Sequence, residues 1–310
     1  MKIDIHNFKR RLELVEQRIG SGKIPRKDQR NIWEFRDQCF ADGLSLVRVS
    51  KYLQCIKRLY DLSSCAILDA SLRDTVALLA KIERSDWQPW TKHDYRLALR
   101  KYLVFSGRRD IADIIKLPKS GTHKLPEELL TPNDIITLMA SADDAMLRAL
   151  IITLYESGCR VGELLGICRK HVQMDAIGVV LIVDGKTGMR RVRVIEAAVY
   201  LDIWISEGSF KQDAPIFPIS YAAFRKRLQV LAVRAGIGKR IYPHLFRHSR
   251  ATFLASYLTE AQLCSYHGWT VGSTMPRIYV HLNSKDLDST LMNVPAVLAT
   301  PRSYGAILTA

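Results

Sequence analysis

The sequence predicts a mainly α protein with a small antiparallel β-sheet, divided into an N-terminal helical domain and a second, mixed α/β domain. Three observations carry this expectation. Apolar residues recur at spacings of three and four throughout residues 4–116. A short apolar run, Val179-Val180-Leu181-Ile182-Val183, is followed by the Gly-rich turn Asp184-Gly185-Lys186-Thr187-Gly188 and by residues 190–195, the pattern of a β-hairpin. Between the two, residues 118–126 are polar and aperiodic, so the domain boundary is expected there. At 310 residues the chain is long for one core and natural for two. The expected division is 1–118, a linker at 119–125, a second domain at 126–294 and a tail at 295–310.

Each helix has its own signals. The first places Ile5, Phe8, Leu12, Val15 and Ile19 on one face and ends at Gly20 and Gly22. The second starts at Pro25, buries Ile32, Phe35 and Cys39, and stops at Asp42-Gly43. The third is capped by Ser45 and turns Leu46, Val49, Leu53, Ile56 and Tyr60 inward. A fourth covers 72–82 and a fifth runs from Thr91 to Phe105 before Gly107.

The second domain opens on Thr131-Pro132-Asn133-Asp134, a cap, a proline at the first helical position and an acid at the third. A helix over 143–157 ends at Gly158, and Val161–Leu165 forms a short one. After the hairpin, helices are expected at 197–205, 220–235, 243–257, 259–266 and 276–282, with Thr259 and Gln262 as a capping box.

Composition narrows the classes. A net charge of +15 implies a polyanionic partner, and it is uneven: residues 1–124 hold 26 basic against 15 acidic side chains, the remainder 20 against 16. The N-terminal domain is therefore the stronger handle on a phosphate backbone. Arg48, Lys51, Lys57 and Arg58 on the third helix, with Lys92, Arg96, Arg100 and Lys101 on the fifth, are the expected DNA-facing cations. A basic connector between two basic surfaces suits a protein that encircles a duplex. The first seven residues carry charge where a signal peptide needs an apolar core, and no apolar run reaches the ~18 residues of a membrane span, so a cytoplasmic protein with no membrane partner is expected. The six cysteines lack Cys-x-x-Cys spacing, and Cys264-x-x-His267 has no second pair to complete a zinc site, so buried thiols and no metal are expected.

Arg160 follows the helix stop at Gly158 and precedes a short helix, which points its side chain and the adjacent N–H groups toward an anion. Taken alone it reads as an exposed charge near a helix start. His244 and Arg247 stand at i and i+3 on a helix beginning at Pro243, so both project from one face. Lys186 occupies a hairpin tip, where most lysines are merely solvated.

With Trp269 and Tyr279 these positions supply two guanidiniums, an ammonium, an imidazole, an indole N–H and a phenol, the set needed to bind a phosphodiester and attack it with a tyrosine. In this order, with the segments Pro243-His244-Leu245-Phe246-Arg247-His248, Gly268-Trp269 and Tyr279-Val280-His281, the chain resembles the tyrosine recombinases, or phage-type integrases. The run Gly268-Trp269, Ser273-Thr274-Met275-Pro276, Tyr279-Val280-His281-Leu282 is similar to that of their archaeal members.

The resemblance implies a SAM-like core-binding domain followed by a catalytic domain. It makes Arg160 and Arg247 the catalytic arginines, Glu163 their bracing acid, Lys186 the general acid for the departing 5′ oxygen, and Tyr279, rather than Tyr257, Tyr266 or Tyr304, the nucleophile. His244 would assist the tyrosine, and desolvation would lower the ammonium's proton affinity. Where many relatives carry Gly-His this chain has Gly268-Trp269, with His267 one residue earlier; an indole can donate to phosphate but cannot shuttle a proton. The implied reaction cleaves double-stranded DNA through a 3′-phosphotyrosyl link, without metal or cofactor, in dimers and tetramers of the chain. A type IB topoisomerase uses the same residues, and a non-catalytic DNA-binding protein would use the basic bundle alone.

Overall fold

Capping chemistry sets the ends of the elements. The computed structural model describes residues 7–117, 129–270 and 272–280, and its internal contacts divide the chain into two compact units, Met1–Lys124 and Leu125–Ala310. The expected linker, Ile5, the residues after Val280, Tyr304 and the tail lie outside the described residues.

In the first unit, α1 (Phe8–Gly20), α2 (Arg26–Ala41), α3 (Leu46–Leu62), α4 (Leu72–Arg84), α5 (Pro89–Phe105) and the short α6 (Arg109–Ala112) surround one apolar core. Ser45 accepts from the Arg48 N–H, and Ser71 forms a capping box with Asp74. Ile19, Ile32, Leu53, Ile56 and Ile82 are fully buried, the faces that periodicity assigns to the core. Tyr60 takes its place beside them by donating its hydroxyl to the buried Asp28, which supplies a partner for its polar tip.

Two expectations need correction here. Helix α5 starts at Pro89, two residues before Thr91, because proline suits the first turn, where its missing N–H goes unused. The basic faces are also less free than expected. Arg96 donates to Glu83 and to the Lys116 carbonyl and is only 15 % exposed; Lys92 donates to the Glu83 carbonyl. Lys51 pairs with Asp94, Lys57 with Asp61, and Arg100 approaches Asp113 at 4.0 Å. Acids take up part of the positive face, Asp61 from the same helix and Glu83, Asp94 and Asp113 from elements that a projection of one helix does not bring together.

In the second unit, α7 (Pro132–Ala140) and α8 (Ala145–Ser157) precede α9 (Val161–Leu165), then the sheet, then α10 (Ala198–Glu207), α11 (Tyr221–Arg234), α12 (Pro243–Leu254), α13 (Glu260–His267) and α14 (Met275–Val280). Thr131 and Asp134 close the expected capping box, as do Thr259 and Gln262. Helix α8 is buried along most of its length and touches α7, α10, α12 and the sheet. Its one buried acid, Glu156, accepts the N–H groups of Ile195, Glu196 and Ala197 at 2.6, 3.1 and 2.7 Å. A carboxylate thus caps the start of α10 and is repaid its desolvation there.

The expected hairpin is two strands of a three-stranded antiparallel sheet in the order β1 (Val172–Asp175), β2 (Gly178–Gly185), β3 (Gly188–Val194). β1 is an edge strand that buries only Val172 of its four residues, so it carries no alternation for a sequence to show. Gly185 pairs with Gly188 across a two-residue turn, which puts Lys186 and Thr187 at the tip. Helix α12 ends at Leu254 rather than 257. Among the described residues no helix is long and apolar enough to cross a membrane.

Candidate active site

The site is assembled where α8 stops. Gly158 takes the left-handed conformation (φ 55°) that ends α8, and a Cβ there would meet the His267 ring at 2.5 Å. The chain then turns so that Arg160 caps α9, with Glu163 in its first turn.

Glu163 is the hinge of the arrangement. Its carboxylate accepts the Arg160 backbone N–H at 3.0 Å and the Arg160 Nη1 at 2.8 Å, while its Oε2 accepts from Arg190 Nη2 at 2.7 Å. Burial alone would raise this carboxyl, but the Arg190 and Arg160 guanidiniums hold it down at about 2. Arg190 also donates through Nε to the Tyr266 carbonyl at 3.0 Å, joining β3 to α13. Tyr266 itself is a structural phenol, donating to the Glu156 and Arg193 carbonyls. Tyr257 is 70 % exposed.

Arg247 is 2 % exposed, and two carbonyls fix its guanidinium: Gly158 accepts from Nη1 at 2.9 Å and His267 from Nη2 at 2.7 Å. Burial and then the Arg160 charge push it down to about 10. His244 stands exposed at the start of α12; partial desolvation, then the charges of Arg247 and Arg160, push its imidazole below the usual value.

Trp269 is the centre of a stack. Its ring lies 4.8 Å from that of His267 and 5.4 Å from that of Tyr279, nearly parallel to the latter at 8°, and the Arg247 guanidinium sits 5.4 Å from its centroid. His267 is fully buried, and burial followed by the Arg247 charge keeps its imidazole well below the usual value. A neutral, enclosed ring supports Trp269 by packing and cannot relay protons to solvent.

Tyr279 is 1 % exposed, and burial raises its phenol, opposed by the Arg247 charge. The group on its hydroxyl corrects the expectation that His244 assists the tyrosine: His248 Nδ1 lies 2.9 Å from Tyr279 Oη. His244 meets the His248 ring edge-on, 4.6 Å away. The structure therefore links Arg160, Glu163, His244, Arg247, Trp269 and Tyr279 in one positively charged cluster of contacts. Lys186 is exposed at the hairpin tip. The tip is tied to this region by Thr187 Oγ1, which donates to the Gly268 carbonyl at 3.1 Å.

Two members were not foreseen. Arg190 shares its face of β3 with the buried Val192 and Val194, so period-two alternation already marks it as an inward charge in need of a partner. His248 follows His244 by four residues on α12, the spacing that stacks side chains on one helical face. A buried Arg247 and a partly exposed Arg160 beside a hydrogen-bonded phenol can hold a phosphodiester and present an oxygen nucleophile to it.

Several known proteins are similar to this chain. The tyrosine recombinase XerC of Xanthomonas axonopodis pv. citri is 31 % identical over 154 residues, 46 % of this chain and 50 % of that protein. XerC of Xylella fastidiosa strain 9a5c is 30 % identical over 180 residues, 54 % of this chain and 60 % of that protein. The chain thus matches between half and three-fifths of the length of these curated relatives. Among solved structures, the XerH site-specific recombinase bound to difH substrate covers 94 % of this chain and is itself covered to 97 %, with 18 % identity and a TM-score of 0.62. The Tn1549 transposon integrase in complex with transposon right end DNA covers 84 %, is covered to 98 %, and has 16 % identity and a TM-score of 0.63. These two show the fold. The model of the phage integrase family matches residues 128–286, just over half of the chain and every residue of the pocket described above; the chain belongs to that family.

Proposed function

We propose that this protein is a site-specific DNA recombinase that cleaves and rejoins double-stranded DNA through a covalent 3′-phosphotyrosyl link to Tyr279. The observation that carries the reading is the placement of the Tyr279 hydroxyl, held by His248 and lying in the field of Arg247, beside Arg160 and His244. Arg160 and Arg247 bind the non-bridging oxygens, Glu163 fixes Arg160, and His244 and the Trp269 indole complete the phosphate pocket. Lys186, on the exposed tip, reaches the departing 5′ oxygen and protonates it. The 5′ hydroxyl of a partner strand then attacks the phosphotyrosine and reverses the step. The bond energy stays in the covalent link, so the cycle needs no cofactor or metal.

DNA is the partner that the +15 charge supports, with the cations of α3 and α5 and the basic connector as its expected contacts. Exchange between two sites requires a tetramer of the chain on DNA, built from dimers on each site, in the cytoplasm. The run from Gly268 to Tyr279, similar to that of archaeal members, fits either integration of a mobile element, for which an attachment site beside or across the gene is expected, or resolution of chromosome dimers. A supercoiled plasmid bearing two candidate sites tests the activity: inversion or deletion is expected, whereas relaxation alone would point to a topoisomerase and binding alone to a non-catalytic protein.

A further inference from the structure

We propose that His248 takes the phenolic proton of Tyr279 during attack on phosphorus, an inference that rests on the recombinase reading above. Two contacts aim the hydroxyl. Trp269 lies parallel to the Tyr279 ring at 5.4 Å and fixes its plane, and His248 Nδ1 meets the oxygen at 2.9 Å. The His248 and Tyr279 rings are 6.0 Å apart and tilted by 37°, so a hydrogen bond, not ring packing, joins them. A base must first lie within hydrogen-bond reach of the proton it removes, and His248 does.

The two imidazoles of α12 divide the work. His244 stands exposed, in the field of both Arg247 and Arg160, which suits it to the phosphate. His248, one turn further and touching His244 edge-on at 4.6 Å, faces the phenol. With its proton on Nε2, the neutral ring presents the Nδ1 lone pair to the hydroxyl. As the Oη–P bond forms, the phenolic proton passes to His248 Nδ1. The bond from phosphorus to the 5′ oxygen breaks, its electron pair leaves on that oxygen, and Lys186 supplies the proton. In the return step His248 gives its proton back to the departing phenolate.

The test uses the full chain and a nicked suicide substrate. His248→Asn keeps a polar group on the hydroxyl but no base, and His248→Ala removes both. With DNA affinity and thermal stability measured alongside, both variants should form the covalent adduct at least ~10²-fold more slowly. Replacing Tyr279 with 3,5-difluorotyrosine makes the phenol more acidic and lessens its need for a base. This exchange should recover about tenfold or more of the rate in His248→Asn, and none in Arg160→Ala, whose defect is phosphate binding. Adduct formation by a stably folded His248→Asn at the rate of the unaltered protein, or equal recovery in both backgrounds, would overturn the proposal. Were the unaltered protein itself to form no adduct, the recombinase reading would fall with it, and that failure is visible before any variant is made.

Discussion

Glu163 and Arg190, 27 residues apart, meet in an ion pair of 2.7 Å in which the side chains are 5 % and 9 % exposed. The pair would repay its desolvation poorly by itself, but Glu163 also accepts two hydrogen bonds from Arg160 and Arg190 donates to the Tyr266 carbonyl. It fastens the start of α9 to β3, and β3 to α13.

The pH dependence of stability follows from this pair. The carboxyl titrates at about 2 when folded against an ordinary value of 4.5, so the unfolded chain binds the proton more readily. The resulting stabilisation, roughly 3 kcal/mol, is fully present above pH 4.5 and is lost as pH falls toward 2. Urea unfolding between these pH values should show a shallower acid slope for Glu163→Gln than for the unaltered chain. At pH 7 Glu163→Gln should also cost about 3 kcal/mol, since Arg190 is left as a buried charge.

Two glycines guard the same pair. A Cβ on Gly268, whose φ is +62°, would lie 2.8 Å from Arg190 Nη1, and one on Gly185 would lie 2.5 Å from Glu163 Oε1. Both side chains are locked and cannot swing away. Gly268→Ala should therefore lower stability by at least ~1 kcal/mol and reduce DNA cleavage, because Trp269 follows directly; thermal melting and adduct yield measure the two effects.

The helical framework of both units was legible, because the longer helices carry apolar periodicity and several begin at a local cap such as Ser45, Thr131 or Thr259. Arg160, Arg247 and Tyr279 stood out only through the order of the segments around them, since an arginine near a helix start or a tyrosine on a short helix has many ordinary tasks. Three features were not legible, and each depends on a partner distant in sequence. β1 buries one residue of four, Arg190 is explained only by Glu163 on another element, and His248 is distinguished from His244 only by where α14 sets the phenol. The pairing of Arg96 with Glu83 belongs with them, a contact between two helices that no single helical wheel displays.

Trp269 packs between His267 and Tyr279 beneath Arg247. Trp269→His keeps a donor and part of the stack and should retain cleavage; Trp269→Ala loses both and should lower the cleavage rate and the melting temperature together. His267→Ala opens a cavity in a closed site and should show mainly in stability, at about 1–3 kcal/mol. Cleavage kinetics and melting curves for the three variants check the assignment.

Lys186 makes a sharper kinetic case. A sulfur at the 5′ bridging position leaves without a proton, so that substrate should restore cleavage by Lys186→Ala but leave Arg160→Ala about 10² to 10³-fold slow. Equal loss in both variants would mean that the ammonium binds phosphate instead.

The proposed reaction depends on the Tyr279 phenol that His248 holds at 2.9 Å. Incubation of Tyr279→Phe and of the unaltered chain with a nicked suicide substrate, followed by denaturing electrophoresis and mass mapping of any adduct, tests it most directly. The unaltered chain should carry DNA on Tyr279, and Tyr279→Phe should bind DNA with undiminished affinity and carry none. A covalent adduct on the phenylalanine variant, or one mapped to another tyrosine, would contradict the account.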